Sequence, residues 1–438
     1  MRKRFYLLSL GCPKNTVDAE AMSGLLADAG WRRTKRHEDA DVLIVNTCGF
    51  IDDARQESYS ALRELAQAKR PGQRLLAVGC LSQRYGEDVR RTVPDVDGIL
   101  GTQEWANIVP CVETLLGVQP HASVRPRSEV SVVTPMHRQA QGPSAYLKIA
   151  DGCSAPCAFC AIPLIKGPQR SKSRDAILEE ARQLVTQGVR EIILIAQDTT
   201  AYGRDWGEQD GLPSLIESIL QTVPQLPWLR LMYAYPQHVT PRLIEIMASH
   251  SQVCHYLDLP LQHAHPNALR RMRRSPDVGS IWQLITDLRQ AMPDIALRTA
   301  FIVGYPGENE EEFAALLDFM DDAQFDKVGV FTYSPEGGTA AARLPDQVNR
   351  EVAEDRYARA MELQRDISLA LNQLLVGRVL EILVEGTGEG ISVGRSYRDA
   401  PEIDGYVLMH GEWSVGKMVR AKIQRAMEYD LEGLVLSD

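Results

Sequence analysis

Three cysteines in the middle of the chain have a spacing suited to an iron–sulfur cluster. Cys153, Cys157 and Cys160 lie in DGCSAPCAFCAIP, a C-x-x-x-C-x-x-C arrangement. Three thiolates on one short loop can bind three irons of a four-iron cluster, which leaves the fourth iron open for another ligand. The alternative is a structural zinc site, but such a site normally has four protein ligands in paired units, and no fourth ligand with that spacing follows.

A second set of three cysteines is spread over the first part of the chain. Cys12, Cys48 and Cys80 each follow, directly or nearly so, one of the apolar runs FYLLSLG, DVLIVNT and RLLAVG. Because the carboxyl ends of parallel strands meet at one edge of an open α/β sheet, the three thiols can converge on one metal site. The alternative is three independent core residues, since free cysteine is commonly buried. Cys111 and Cys254 lack such a context and are predicted to be core thiols.

The segments that carry these cysteines indicate an α/β fold in three domains. Strand-like and helix-like segments alternate in the first part, and six further strand candidates, from YLKIA to KVGVFTYS, alternate with helices. Four strand-like runs with glycine-rich turns follow, from VLEILVEG to MVRAKIQRAME. The predicted divisions are an N-terminal α/β domain with a parallel sheet at 1–120, a linker at 121–143, a partial (β/α)6 barrel at 144–349, a helical connector at 350–372 and a small β-barrel at 373–438.

Three helices have recognisable sequence signals. Val17–Ala29 is an amphipathic stretch before Gly30. Asp175–Gln187 has acids in its first turn and Gly188 at its end, and Asn309–Asp321 is also led by acids. These helices are expected between the strands of the first two domains.

The amino-acid composition indicates the cellular compartment of the protein and the kind of partner that it binds. A net charge of −10 argues against broad electrostatic attraction to nucleic acid. Eight cysteines in 438 residues are too sparse for a small secreted disulfide framework and favour metal or redox chemistry in a reducing compartment. The apolar run near the N-terminus is too short for a signal peptide, and no apolar stretch approaches the ~20 residues of a membrane span. We therefore expect a cytoplasmic protein without a membrane segment.

The loop that carries Cys153 resembles the radical S-adenosylmethionine superfamily, whose cluster loop has this spacing and an aromatic residue before the last cysteine, here Phe159. The resemblance narrows to the radical S-adenosylmethionine methylthiotransferases and covers essentially the whole chain: a three-cysteine N-terminal domain, a radical domain and a C-terminal TRAM β-barrel. It implies two 4Fe-4S clusters, one on each cysteine triad. It also implies that S-adenosylmethionine serves both as radical initiator, through a deoxyadenosyl radical, and as methyl donor.

Further positions resemble residues around the cofactor in this superfamily. Gln197 in IAQDTTAYG and Gly304 in FIVGYPGE lie at the carboxyl ends of predicted barrel strands, where barrel active sites are built. The alternative for Gly304 is a turn that relieves backbone strain. His263 and His265 in LQHAHP are left unassigned, as structural or substrate-facing residues, and the sequence assigns no catalytic acid or base.

Short sequence segments indicate which of the two main substrate classes of this family applies. Methylthiotransferases divide mainly into enzymes that modify a tRNA adenosine and a branch that modifies an aspartate of small-subunit ribosomal protein twelve. The segments SLGCPKN, NTCGFID, QDTTAYG and GRSYRDAPEIDG resemble the ribosomal-protein branch. The resemblance therefore implies methylthiolation at the β-carbon of that aspartate, with a tRNA adenosine as the alternative. A non-enzymatic RNA-binding or electron-transfer protein is a further alternative, which would not cleave S-adenosylmethionine.

The implied partners are ribosomal protein twelve or the ribosomal subunit, a reductase as electron donor and a source of sulfur, and we expect a monomer. Residues 373–438 contain eleven Asp and Glu against seven Lys and Arg, a net charge of −4. This charge suits a basic protein better than a phosphate backbone, although it is also typical of a solvated acidic surface. Asp399, Glu402 and Asp404 are predicted to be exposed and to dock the substrate.

Overall fold

Apolar runs form the N-terminal sheet in the computed structural model, which describes residues 3–117 and 138–436. Its strands are β1 (Arg4–Ser9), β2 (Arg32–Arg33), β3 (Val42–Thr47), β4 (Arg74–Gly79) and β5 (Gly98–Gly101). They are all parallel, in the order β2-β1-β3-β4-β5. β3 is buried along its whole length because helices cover both faces of the sheet. Cys12, Cys48 and Cys80 therefore do follow neighbouring strands, as predicted.

Four helices belong to this domain: α1 (Pro13–Asp28), α2 (Asp52–Ala68), α3 (Cys80–Thr92) and α4 (Ile108–Leu115). α1 begins four residues earlier than the predicted Val17, directly after Cys12. Proline suits the first helical position because its missing N–H would have no partner there. The early start places Lys14 and Asn15 on buried positions of the helix, where Asp18 is buried as well.

The central domain contains six parallel strands around a partly open barrel. Its strands, with a short two-stranded ribbon formed by β7 and β8, are β6 (Ser144–Lys148), β7 (Ala150–Asp151), β8 (Arg170–Ser171), β9 (Glu191–Ile195), β10 (Trp228–Leu231), β11 (Val253–Asp258), β12 (Ala296–Val303) and β13 (Lys327–Thr332). The sheet order is β6-β9-β10-β11-β12-β13, with β6 and β13 at the edges. This confirms the predicted partial (β/α)6 barrel.

Helices surround the barrel and fill the connections between its strands. They are α5 (Ile162–Lys166), α6 (Arg174–Thr186), α7 (Gly211–Thr222), α8 (Pro241–Ser249), α9 (Pro266–Arg271), α10 (Val278–Ala291) and α11 (Glu310–Ala323). The Ser173 hydroxyl accepts the Ala176 N–H at the start of α6, and Gly188 has φ +95° just beyond its end. At α11 the Asn309 side chain accepts the Glu312 N–H at 2.9 Å. Both predicted helices are thus found within two residues of their predicted ends.

The C-terminal part begins with the helix α12 (Arg350–Gln373) and ends in a closed five-stranded barrel. Its strands are β14 (Val379–Gly388), β15 (Ile391–Ser396), β16 (Val407–His410), β17 (Met418–Ala426) and β18 (Leu431–Val435). The sequence predicted only four of them. β18 is short and contains Gly433, yet it pairs with both β16 and β17 and thereby closes the barrel.

The predicted linker at 121–143 lies largely outside the described residues, and the predicted domain boundaries stay predictions. In the described part of the chain, no helix has the length and apolar character needed to cross a membrane.

The closed barrel is fixed to the central domain by buried charges. The carboxylate of Glu191 in β9 lies between Arg230, at 2.6 Å, and Arg395 of the closed barrel, at 2.5 Å. All three side chains have no exposed surface. Burial alone would raise the pKa of Glu191, but the two guanidinium groups lower it to about 2. A carboxylate held between two cations in this way stays ionised and ties β9 to β15.

The prediction that Asp399 and Asp404 are exposed docking groups is wrong. Asp399 is buried and pairs with Lys327 of β13 at 2.8 Å. The Asp404 side chain is 2% exposed, accepts the Tyr256 hydroxyl at 2.8 Å and lies 3.5 Å from Arg298. Only Glu402 is exposed. Composition shows that the loop is acidic, but it cannot show that two of its carboxylates meet cations of another domain.

Candidate functional site

A cavity of about 450 Å³ lies where the N-terminal domain meets the central barrel, and all six predicted ligand cysteines line it. Cys12 precedes α1, Cys48 follows β3 and Cys80 begins α3, so the carboxyl edge of the first sheet forms one wall. The opposite wall includes the loop of Cys153, Cys157 and Cys160, which follows β7. The two triads, distant in sequence, thus face the same enclosed space.

The N-terminal triad is held together by Asn15 and by two glycines. The Asn15 side-chain amide donates to the carbonyls of Leu10 (2.9 Å) and Thr47 (3.2 Å), and its oxygen lies 3.6 Å from the Cys80 sulfur. Gly11 has φ +88°, and a Cβ there would lie 2.8 Å from the Cys48 Cβ. Gly79 has φ +100° and is crowded by Thr47 in the same way. Only glycine therefore allows the strand ends to approach so closely.

The loop triad has donors of its own. The Ala155 N–H donates to the Cys153 sulfur and the Ile162 N–H donates to the Cys160 sulfur, both at 3.4 Å. An Nη of Arg274 lies 3.7 Å from the Cys157 sulfur, while the other donates to the Pro260 carbonyl at 2.6 Å. Each sulfur thus has one donor directed at it. Such donors favour thiolates and tune the potential of a bound cluster.

The protonation of these thiols is set by their burial. Desolvation raises the pKa of Cys80 and of Cys160 to about 12, and it also raises the pKa of Cys48 and of Cys153. Without a metal these groups are neutral thiols at pH 7, so metal binding must displace their protons.

The donor set fits iron–sulfur clusters better than mononuclear sites. In residues 3–117 and 138–436 no group of three His, Cys, Asp or Glu side chains is arranged to hold a single metal ion. Thiols that line a common cavity suit a cluster, because each thiolate can bind a different iron.

The remaining predicted site residues divide between the cavity and the core. Phe159 and Gln197 line the cavity. Gly304 is not among its lining residues: it has φ +70°, and a Cβ there would lie 2.4 Å from the Ala353 Cβ of α12. Close packing and a turn thus account for Gly304, and a role with the cofactor stays a prediction.

The two histidines and the two isolated cysteines are not among the residues that line the cavity. His263 is fully buried, its Nδ1 accepts the N–H groups of Ala264 and His265, and burial lowers its pKa to about 3. The His265 ring accepts the Asn267 N–H at the start of α9. Cys254 is buried in β11 and Cys111 lies partly buried in α4, both away from the cavity, as expected.

Several residues of the cavity wall were not predicted. Tyr233 and Gln262 line it with φ values of +62° and +76°, which non-glycine residues rarely adopt. Such a conformation costs about 1–3 kcal/mol and requires surrounding support. For Tyr233 that support includes Asp258, which accepts its N–H at 3.2 Å, and Thr199, which donates to its carbonyl at 3.0 Å. No sequence signal marks these positions.

Lys14 and Lys166 also line the cavity. Lys14 follows Cys12 by two residues, so its place in the SLGCPKN segment was a usable signal. Burial lowers the pKa of Lys14 to about 8. Burial alone would lower the pKa of Lys166 too, but Asp151 and Asp18 raise it well above its ordinary value.

A buried charge network joins the two domains beside the cavity. Asp18 of α1 pairs with Lys148 of β6 and, at 3.3 Å, with Lys166. Both lysines also pair with Asp151, at 3.2 and 3.1 Å. The side chains of Asp18, Lys148 and Lys166 are at most 4% exposed. Because Asp18 belongs to the helix that follows Cys12, this network fixes the N-terminal triad against the central barrel.

A second contact between these domains lies around Glu336, in the loop after β13. Its buried carboxylate pairs with Arg55 of α2 and, at 2.8 Å, with Arg84 of α3. Arg84 also donates to the Gly337 carbonyl at 2.6 Å. The exposed rings of Phe50 and Phe331, one from each domain, line the cavity as well. The mouth of the cavity is therefore formed by both domains.

Comparison with protein families agrees with the three-part architecture. Residues 4–101 match the uncharacterized protein family UPF0004, residues 147–320 match the radical SAM superfamily, and residues 376–436 match the TRAM domain.

Curated relatives match almost the whole chain. A ribosomal protein uS12 methylthiotransferase RimO from Chloroflexus aurantiacus is 49% identical, over 99% of this chain and 100% of the relative. One from Herpetosiphon aurantiacus is 48% identical over the same shares. Among solved structures, the radical S-adenosylmethionine methyltransferase TsrM from Kitasatospora setae has a TM-score of 0.59 at 12% identity, covering 90% of this chain and 77% of that one. This likeness concerns the fold.

Proposed function

We propose that this chain, which belongs to the family of ribosomal protein uS12 methylthiotransferases, transfers a methylthio group to the β-carbon of an aspartate in that ribosomal protein. The chain is a radical SAM transferase of this family by its full-length similarity to these enzymes. The observation that carries the proposal is the single cavity lined by both cysteine triads. It would allow two clusters to act on one substrate atom.

Each triad has a distinct role in this proposal. Cys153, Cys157 and Cys160 would hold the cluster that binds S-adenosylmethionine, and Cys12, Cys48 and Cys80 would hold the second cluster. When bound, these groups supply a carbon radical that removes hydrogen from an unactivated C–H bond, together with sulfur and a methyl group.

Residues of the chain itself would bind and orient the cluster and the cofactor and shield them from solvent. Arg274 and two backbone N–H groups donate to the sulfur atoms of the loop triad. Phe159 and Gln197 line the space beside that triad and would contact the cofactor. The apolar part of the lining would exclude water once substrate is bound, which protects reactive species from side reactions. Its volume of about 450 Å³ lies within the usual range for small-molecule and cofactor sites.

The mouth of the cavity suits a protein segment. The rings of Phe50 and Phe331 are 37% and 53% exposed, although most of the wall is buried. Exposed aromatic rings beside an enclosed site are typical of surfaces that bind a partner. A ribosomal substrate also favours a cytoplasmic location, and the reaction calls for a reductase and a source of sulfur.

The substrate is tested by offering both candidates to the same enzyme. Anaerobically reconstituted protein, with about eight irons per chain if both triads hold four-iron clusters, is incubated with S-adenosylmethionine, a reductant and either uS12 or tRNA. We expect mass spectrometry to show one added methylthio group on an aspartate of uS12 and none on tRNA. Modification of a tRNA adenosine instead would overturn the substrate, and about four irons in the wild-type protein would overturn the two-cluster assignment.

A further inference from the structure

Lys14 brings a buried ammonium group to the cavity wall. Burial lowers its pKa, whereas Asp258 and Asp151 raise it from a distance, but neither forms an ion pair with it. The residue is 5% exposed and lines the cavity. Within the described ranges 3–117 and 138–436, no carboxylate forms an ion pair or hydrogen bond with its Nζ. Its close contact is the ring of Tyr233, whose centroid lies 2.9 Å away. Buried lysines are nearly always paired, because an uncompensated charge in an apolar environment is costly.

The other cations of the wall have partners. Lys166 pairs with Asp18 and Asp151 and donates to the Thr102 hydroxyl. Arg274 donates to a carbonyl and to the Cys157 sulfur, and it stacks on the Tyr235 ring. Lys14 is thus the cation of this wall whose hydrogen-bond donors are left for a group that enters the cavity.

We propose that Lys14 binds the carboxylate of the target aspartate, an assignment that rests on the proposed function. The carboxylate carbon of an aspartate is bonded directly to the β-carbon, so a cation that fixes the carboxylate also fixes the reacting C–H bond. An ammonium–carboxylate hydrogen bond is stronger in a water-poor cavity than in solvent. Fixing the reacting atom in this way is a major source of rate enhancement. Lys14 is a specificity-determining residue in this proposal.

The position of Lys14 is well supported. Pro13 fixes the first turn of α1 and Asn15 anchors the next residue to two strand ends. The Tyr233 ring beneath the ammonium is held by the strained backbone that Asp258 supports. A lysine between two such supports has few alternative positions, so little conformational entropy is lost when it binds an anion.

The test pairs a change in the enzyme with a change in the substrate. Holoenzyme carrying Lys14→Met is compared with wild type for binding, by fluorescence anisotropy, to a uS12 peptide that contains the target aspartate and to the same peptide with asparagine at that position. We expect the Lys14→Met variant to bind the aspartate peptide about 30-fold more weakly than wild type. We expect it to bind the asparagine peptide within about twofold of wild type, since that peptide lacks the charge. The variant Lys14→Arg keeps the charge and should recover part of the loss.

Lys35→Met is the matched control, because Lys35 is an exposed lysine of the same domain and its removal should leave both affinities unchanged. Equal weakening of both peptides by Lys14→Met would overturn the proposal, because the ammonium would then serve the structure. Loss of about half the iron in that variant would also overturn it, since the charge would then serve the cluster beside Cys12. If wild-type holoenzyme with full iron content binds neither peptide, the proposed substrate itself fails.

Discussion

The two cysteine triads that share the cavity are built in opposite ways. The loop triad lies within Cys153–Cys160, and two of its sulfur atoms receive hydrogen bonds from backbone N–H groups of the same segment. The N-terminal triad comes from three strand ends and needs the whole first sheet to bring its thiols together. A local loop can form a cluster site almost by itself, whereas a site assembled from strand ends depends on the fold around it.

The difference extends to the contacts between domains. The loop triad belongs to the central barrel, but the N-terminal triad reaches the cavity only because its domain is docked by Asp18 and by the contacts of Glu336. Changes at the domain interface should therefore act on the N-terminal triad and spare the loop triad. Four substitutions, taken in order of decreasing effect, test this contrast.

Replacing Cys48 with Ala should abolish product formation but preserve cofactor cleavage. The change removes one ligand of the N-terminal triad and leaves every residue of the loop triad in place. We expect deoxyadenosine from S-adenosylmethionine at a rate near that of wild type, and no methylthiolated uS12, both measured by mass spectrometry. Circular dichroism checks that the first sheet remains folded.

Cys157→Ala is the matched change on the other side, and it should abolish both cofactor cleavage and product. If the Cys48→Ala variant forms product at the wild-type rate, the N-terminal triad has no role in the reaction. The proposed difference in role between the two triads would then be wrong.

Replacing Asp18 with Asn should loosen the N-terminal domain from the barrel. Among the described residues, removing this charge leaves Asp151 as the carboxylate that pairs with Lys148 and Lys166. Breaking a buried pair on one side typically costs 3–5 kcal/mol, so we expect about 3 kcal/mol of lost stability. Denaturant unfolding followed by tryptophan fluorescence measures this loss, and the ratio of product to deoxyadenosine should fall with it.

The control for this change is Glu354→Gln, which breaks the exposed pair between Glu354 and Arg350 on α12. Exposed pairs contribute about 0–1 kcal/mol, so this variant should behave as wild type. An Asp18→Asn variant whose ratio of product to deoxyadenosine is unchanged would show that docking does not depend on the buried network.

Much of the fold and the six cysteines were predictable because their signals are local or periodic. Apolar runs marked the parallel strands, glycine and first-turn acids marked helix ends, and the spacing of Cys153, Cys157 and Cys160 marked the loop. Parallel strands present their carboxyl ends at one edge of a sheet, so the convergence of Cys12, Cys48 and Cys80 could be anticipated.

The predictions that were wrong or missing concern contacts between segments that are distant in the chain. Asp399 and Asp404 were predicted to be exposed because no local pattern shows that Lys327 and Arg298 meet them. Tyr233 was missed because its backbone conformation depends on Asp258, from a neighbouring strand. Burial and pairing of charges are properties of the folded chain, and sequence composition reports only their number.

Replacing Asp399 with Asn should weaken the attachment of the closed barrel to the central domain. Lys327, which is 12% exposed at its side chain, would lose its carboxylate partner, and hydrogen bonds to charged groups contribute about 1.5–3 kcal/mol. We expect about 2 kcal/mol of lost stability by denaturant unfolding. The neighbouring exposed change Glu402→Gln should remain within about 0.5 kcal/mol of wild type.

The same two variants also test whether the closed barrel affects the iron content of the cysteine triads. Both variants should keep the iron content of the wild type, because neither residue lies at the cavity wall. Equal stability of the two variants would contradict the buried role that the Lys327 contact assigns to Asp399.

The smallest effect is a pH dependence confined to the loop-triad side of the cavity. His263 follows Gln262 of the cavity wall, and its neutral ring accepts two backbone N–H groups. Burial lowers its pKa from 6.5 to about 3, so the unfolded chain binds a proton below about pH 6.5 that the folded chain does not bind. Stability contributed by neutral His263 is therefore present above about pH 6.5 and is lost as the pH falls toward 3.

Between about pH 7.5 and about pH 5.5 this loss amounts to about 1.3 kcal/mol. His263→Asn keeps an acceptor for the two N–H groups but cannot titrate, so its free energy of unfolding should fall by about 1.3 kcal/mol less than that of wild type over this range. Equal pH dependence of the two proteins in denaturant titrations would show that His263 is not held neutral. The loop-triad side of the cavity would then have no pH dependence that comes from this residue.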